Sequence, residues 1–182
     1  LEIYSPRKIN NVYFEDLNFT AFYDNIEGYS ERIKIRIRWY GNTYELSNKK
    51  LEFKIKKEAL NYKEGFNLGN FKLTNPIKNN NFKRYCQSIK NDFVSINILN
   101  KYPIVFNSYY RSYFMDEFRD IRVTIDKNLI FNSFISDNSK TEDDIIIEFK
   151  YNSSNHFVNN LETGLNISKY SKYVSGIQSD IQ

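Results

Sequence analysis

The residues best suited to chemistry are cations placed at every second position. Residues 32 to 40 read Arg-Ile-Lys-Ile-Arg-Ile-Arg-Trp-Tyr. Arg32, Lys34, Arg36, Arg38 and Tyr40 therefore share one face of an extended chain, and Ile33, Ile35, Ile37 and Trp39 share the other. An ordinary wet sheet face mixes Ser, Thr, Lys and Glu. Cations in register repel instead, each neighbouring pair costing roughly 3 kcal/mol at about 6 Å and an effective dielectric near 20, before screening. Such a face calls for a polyanion or a metal–phosphate complex. The same alternation recurs along the chain. It groups Glu52, Lys54 and Lys56, then Tyr109, Arg111 and Tyr113, then Arg122, Thr124 and Asp126, and finally Glu148 with Lys150. Arginine suits phosphate because its planar fork grips two oxygens and stays charged.

Scarcity is as informative. Cys86 is the only cysteine and His156 the only histidine, which excludes a disulfide framework, a Cys/His zinc site, a CxxC redox pair and a triad with a histidine to spare. Cys86 reads as a core residue and His156 as a surface one. Holding a polyanion needs neither, because positioned cations suffice.

The elements that must position these side chains are mostly strands. Beyond the strand at 32–40, closed by Gly41-Asn42, the pattern predicts strands at Ile9–Phe14, Ala21–Ile26, 51–57, Ile104–Phe114, Ile121–Asp126, Leu129–Phe134 and Ile145–Tyr151. Lys127-Asn128 reads as a tight turn. Phe82, Tyr85, Cys86, Ile89 and Phe93 carry helical spacing after a polar loop at Thr74–Asn81, and a short helix is expected near His156–Thr163. Ser136–Asp144 reads as a solvated connector. Arg32 and Lys34 read as solvated at the start of their strand, and Trp39 and Tyr40 as packing residues.

A chain of 182 residues with 15 Tyr and 15 Phe forms one folded domain and is not disordered. The net charge of +4 conceals the local clustering. No apolar run of about 20 residues exists to span a bilayer. The opening Leu1-Glu2-Ile3-Tyr4 reads as the interior of a longer protein, a reducing compartment is the expectation, and the sequons at Asn18, Asn152 and Asn166 read as chance.

These residues carry a resemblance. Ile35-Arg36-Ile37-Arg38-Trp39-Tyr40-Gly41 resembles the basic strand of the VTC (vacuolar transporter chaperone) domain, in the triphosphate tunnel metalloenzyme (CYTH-like) superfamily. Val12-Tyr13-Phe14-Glu15-Asp16, Leu51-Glu52-Phe53-Lys54, Tyr109-Tyr110-Arg111 with Ile121–Asp126, Ile147-Glu148-Phe149-Lys150 and Ser171-Lys172-Tyr173-Val174-Ser175-Gly176 follow in the family's order. The resemblance implies an α+β fold: an antiparallel, eight-stranded-type β-barrel tunnel with a few flanking helices. It also implies a single domain over 1–182, N-terminally incomplete and lacking its first strand. It assigns phosphate binding and catalysis to Arg36, Arg38, Lys54, Arg111, Arg122 and Lys172. Tyr109, Lys150 and Ser171 become accessory ligands and Glu148 the holder of Mn²⁺ or Mg²⁺, while Lys56 and Lys63 align too loosely to assign.

The implied activity is a metal-dependent phosphotransferase, a polyphosphate polymerase that moves the γ-phosphate of ATP onto a polyphosphate chain. The alternatives are a triphosphate hydrolase and a polyphosphate sensor without turnover. The implied ligands are ATP, polyphosphate or triphosphate. The expected setting is cytoplasmic, or the cytosolic face of a membrane complex. Nucleic acid is disfavoured, because glutamates stand among the cations and most aromatics fall on the apolar face.

Overall fold

A computed structural model describes residues 1–42, 49–68, 82–118, 120–152 and 168–181, without side-chain detail at 82–84 and 179–181. In chain order the elements are β1 (Glu2–Glu15), α1 (Thr20–Glu27), β2 (Glu31–Tyr40), β3 (Lys50–Lys57), β4 (Leu60–Asn67), α2 (Phe82–Gln87), α3 (Asp92–Ile98), β5 (Tyr102–Asp116), β6 (Ile121–Ser133), β7 (Ser139–Glu142), β8 (Ile146–Lys150) and α4 (Lys172–Ile181). The strands make one eight-stranded antiparallel sheet in the order β4-β3-β2-β1-β5-β6-β7, with β8 also pairing β6. The α+β class with few helices is the expected one. Among the described residues no ladder joins β4 to β7 or β8, so hydrogen bonding leaves the sheet open there.

Register fixes which side chains share a face. Arg36 lies opposite Tyr13 and Glu52, Arg38 opposite Asn11, and Lys34 opposite Lys54. Arg111 lies opposite Asp126, and Thr124 opposite both Tyr113 and Glu148. The charged positions thus form one continuous face. The other face is apolar, and α2 and α3 cover it: Ile35, Ile37, Trp39, Leu51 and Phe53 pack there with Cys86, Val94 and Ile98. Each side chain of this size buried contributes on the order of 2 kcal/mol of transfer free energy.

The charged face curls inward. Lys54 on β3 feels the charges of Glu148 and Lys150 on β8. In a flat sheet those strands, five ladder steps apart, would stand about 24 Å from each other, beyond useful Coulombic range in salt. Part of the concave face is apolar and receives α1 and α4, with Ile9, Tyr13, Val105, Tyr109 and Phe131 packed against Phe22, Tyr173 and Ile177. A Cβ on Gly176 of α4 would meet Val105 Cγ1 at 2.7 Å and a Phe131 ring carbon at 2.9 Å, so glycine is what lets this helix approach the sheet.

Four local expectations are corrected. Ala21–Ile26 is helix α1: the Asp16 carboxylate accepts from the Thr20 backbone N–H and hydroxyl, both at 3.1 Å, and Gly28 ends the helix at φ 80°. Its buried Ala21, Phe22 and Asn25 follow helical, not alternating, spacing. Lys127-Asn128 is no hairpin turn, because β6 runs through it against the long β5. Ser108 pairs with Ile130 and Tyr110 with Lys127, which leaves one extra residue on β6, and Asn128 takes up φ 56°. The helical spacing from Phe82 to Phe93 is split between α2 and α3, since the Asn91 side chain accepts from Val94 N–H at 3.1 Å and caps a new helix. The Ser136–Asp144 connector contains β7, whose Glu142 accepts from the hydroxyls of Tyr170 at 2.5 Å and Ser175 at 2.6 Å. The Thr74–Asn81 loop, the helix near His156–Thr163, His156 itself and Asn166 lie outside the described residues. Cys86 is fully buried, and burial pushes its thiol up to about 12.

Candidate phosphate-binding face

β2 supplies the spine of the site. The Arg36 guanidinium donates to Glu52 Oε2 from Nε at 2.8 Å and from Nη2 at 2.6 Å, while Lys63 reaches Glu52 Oε1 at 2.5 Å. Burial alone would raise the Glu52 carboxyl, but Arg36 and Lys63 hold it down at about 2. Arg38 donates to Asn11 Oδ1 at 2.8 Å and to the Tyr109 hydroxyl at 3.1 Å. Asn11 is itself fixed by its own bond to Asn107 at 3.1 Å. Each arginine thus has its plane set by neighbours while keeping further N–H donors.

A second cluster forms where β5, β6 and α4 meet. Arg111 grips Asp126 with two bonds of 2.6 and 2.7 Å, and Lys172, the first residue of α4, reaches the same carboxylate at 2.7 Å. Burial disfavours the Asp126 anion, yet these two cations bring its carboxyl below the usual range. Tyr109 lies beneath both, 4.8 Å from the Lys172 ammonium and 5.4 Å from the Arg111 guanidinium. Glu148 stands at the edge of the cluster, 3.8 Å from Arg111 and 3.6 Å from Lys150, both longer than hydrogen bonds.

The lysines carry the electrostatic imbalance. Lys34 is half-buried, lies 5.2 Å above the Tyr173 ring and approaches the Ser171 hydroxyl at 3.4 Å. Burial, followed by the charges of Lys54, Arg32, Lys169 and Arg36, pushes its amine down to about 7. Burial and Arg36 also lower Lys54, with Glu148 opposing them. The carboxylates of this face, Glu52, Asp126 and Glu148, are outnumbered by the cations around them. A folded protein holds such a surplus at a free-energy cost that an anionic ligand removes.

Most of the residues expected to act together do meet. Arg36, Arg38, Lys54, Tyr109, Arg111, Glu148, Lys150, Ser171 and Lys172 border the one concave face. Arg122 shares that face, opposite Lys150 in the ladder, but does not join the Arg111 cluster. It lies four residues from Asp126 along β6, roughly 13 Å away, and lines an open cleft of about 520 Å³ with Lys150, Phe149 and Tyr151. Lys34 is not the solvated mouth residue expected, because Tyr173 and Ser171 on the α4 side cover it. Arg32 does remain peripheral, donating to the Tyr29 carbonyl at 2.6 Å. Tyr40 is not packing, being 42 % exposed on the charged face, whereas Trp39 is fully buried. Glu52, Lys63, Asp126 and Asn11 are further members of the site. The alternation marks Glu52 and Asp126; Lys63 is only loosely aligned by the resemblance, and Asn11 is uncharged and stands out only through its bond to Arg38.

Among the described residues around Arg111, Glu148 is the carboxylate not taken by a short ion pair. No group of three His, Cys, Asp or Glu residues suited to a metal exists among the described residues. This donor set fits a cation that arrives with phosphate, since Mg²⁺ is commonly held by one or two carboxylates together with substrate oxygens and waters. No helix among the described residues is long and apolar enough to cross a membrane.

No curated protein matches the chain. Among solved structures it is similar to a candidate adenylyl cyclase from Hippeastrum, reported to have a dominant triphosphatase activity. Identity is 13 %, covering 97 % of this chain and 84 % of that one, with a TM-score of 0.49. The family model described as the VTC domain matches residues 3–180. The chain belongs to the VTC domain family.

Proposed function

We propose that the concave basic face grips the triphosphate of ATP or the end of a polyphosphate chain together with a divalent cation, and that the chain transfers the γ-phosphate of ATP onto polyphosphate. The observation that carries this reading is the crowding of cations around half-buried Lys34 on a face that also presents Arg36, Arg38 and Arg111. In the transfer, a terminal oxygen of the polyphosphate bonds to the γ-phosphorus, and the bond to the bridging oxygen breaks to leave ADP. Arg36 and Arg38, held by Glu52, Asn11 and Tyr109, orient phosphate oxygens through their remaining donors. Arg111 and Lys172 stabilise charge on the equatorial oxygens, and Lys54 and Lys34 extend the grip along the phosphate chain. Ser171, Lys150 and Arg122 contribute at the borders. A divalent cation, Mn²⁺ or Mg²⁺ held through Glu148, supplies further charge neutralisation when bound.

The deciding experiment incubates the full-length protein with ATP and Mn²⁺ and resolves the products. Long polyphosphate with ADP is the expected result. Free phosphate alone would replace transfer with triphosphate hydrolysis. Neither product, with tripolyphosphate still raising the melting temperature, would make the protein a sensor. Arg36→Ala combined with Arg38→Ala should abolish the tripolyphosphate shift; an undiminished shift would place the ligand elsewhere.

A further inference from the structure

Thr124 has a position that the family resemblance does not use. Its side chain shares the charged face, lying in register with Tyr113 on β5 and with Glu148 on β8. The Thr124 hydroxyl is buried and has no hydrogen-bond partner among the described residues. A buried hydroxyl left unpaired costs about 1–3 kcal/mol, and a native fold that keeps one generally does so for a water, an ion or a reacting group. Valine would fill the same volume without that cost, so the oxygen needs a reason to be there.

Its neighbours supply one. Glu148, directly across the ladder, has its nearest cations at 3.6 and 3.8 Å, so its oxygens are not committed to short bonds. Asp126, two residues along β6 on the same side, is taken by Arg111 and Lys172. Thr124 and Glu148 are therefore adjacent oxygen-bearing groups with unspent hydrogen-bonding capacity, next to the arginines of the phosphate site. A hydroxyl can accept from a cation-bound water, and Mg²⁺ and Mn²⁺ keep such waters when they bind with phosphate.

We infer that Thr124 is a positioning residue for the divalent cation at Glu148, its hydroxyl accepting a hydrogen bond from a water on that cation. The inference rests on the metal role proposed for Glu148. Residues that orient a metal's immediate ligands typically change affinity by about 10- to 100-fold when removed.

The test measures Mn²⁺ binding by calorimetry in the presence of tripolyphosphate, for the wild type, Thr124→Val, Thr124→Ser and Glu148→Gln, alongside the melting temperature of each without ligand. Thr124→Val should weaken Mn²⁺ by about 10-fold without lowering the ligand-free melting temperature, because it removes only an unpaired oxygen. Thr124→Ser should bind Mn²⁺ like the wild type. Mn²⁺ affinity of Thr124→Val equal to wild type, with Glu148→Gln weakened, would overturn the inference alone. Unchanged affinity in Glu148→Gln would overturn the metal reading beneath it. If Thr124→Ser, which keeps the hydroxyl, binds as poorly as Thr124→Val, the hydroxyl does not suffice and packing at this position sets the affinity, and the inference fails. Thr124→Ala, which also removes the hydroxyl, should weaken Mn²⁺ in the same way and provides the test should Thr124→Val not fold.

Discussion

Replacing Lys34 with methionine separates the cost of the cationic surplus from its use. The side chain keeps most of its length and packing over Tyr173 but loses the ammonium. In the folded protein that amine titrates near 7 against an ordinary 10.5. At about 1.36 kcal/mol per unit, the charged form is disfavoured by up to about 5 kcal/mol, a ceiling that solvent screening at a half-buried group reduces. The sign follows from proton counting. The unfolded chain binds this proton more tightly, so the penalty is complete below pH 7 and fades as pH rises towards 10.5. Lys34→Met should therefore raise the melting temperature at pH 7 and flatten the gain in stability that the wild type shows between pH 7 and 10. Ligand binding should move the other way. A phosphate placed beside Lys34 restores its proton, so wild-type binding of tripolyphosphate takes up protons and weakens as pH rises above 7. The variant should bind about 10-fold or more weakly, as expected on losing a charge-assisted bond. Calorimetry in two buffers of different ionisation enthalpy counts the protons, and the difference between wild type and variant cancels those carried by the ligand. Equal proton uptake in the two proteins, or a variant no more stable at pH 7, would refute the assignment of strain and ligand to this amine.

The other ion-pair cluster predicts the opposite balance. Asp126→Asn strands Arg111 and Lys172 in a half-buried setting and should cost about 3–5 kcal/mol in denaturant titration, with tripolyphosphate recovering part of the loss. Gly176→Ala should destabilise by about 1–3 kcal/mol, read as a lower melting temperature, because neither Val105 nor Phe131 can recede from the buried interface it would enter.

The charged face was legible because a strand's period of two converts sequence parity directly into sidedness. Arg36, Arg38, Lys54, Arg111 and Glu148 fall on the face their spacing assigns. What parity cannot reveal is where along that face each residue lies. Arg122 shares the sidedness of Asp126 but stands four residues away along β6, in a cleft that it lines with Lys150. Nor does parity show what covers a residue. Lys34 has the pattern of its neighbours, and only the arrival of Tyr173 and Ser171 from more than 130 residues downstream shields it. Ala21–Ile26 carries a strand-like pattern because it is short and aromatic, yet it folds as α1. Its helix is settled by the Asp16 carboxylate and Gly28, which lie outside the segment itself. Likewise, the extra residue in β6 makes one strand read as two.

That extra residue at Asn128 has a further effect: it resets the phase of the strand. Before it, Thr124 and Asp126 point to the concave face; after it, Leu129 and Phe131 do. Strict alternation would have sent one of these pairs to the opposite side. A single polypeptide ribbon can consequently offer ion-handling groups along one stretch of a surface and an oily seat for α4 along the next, without changing direction or leaving β5. The arrangement constrains how this domain can vary. Substitutions along β6 act one at a time, whereas gaining or losing a residue within it would exchange interior and exterior for half of the ribbon at once. Divergence in β6 is thus channelled into side-chain replacement, and changes of length are left to the connections at its ends.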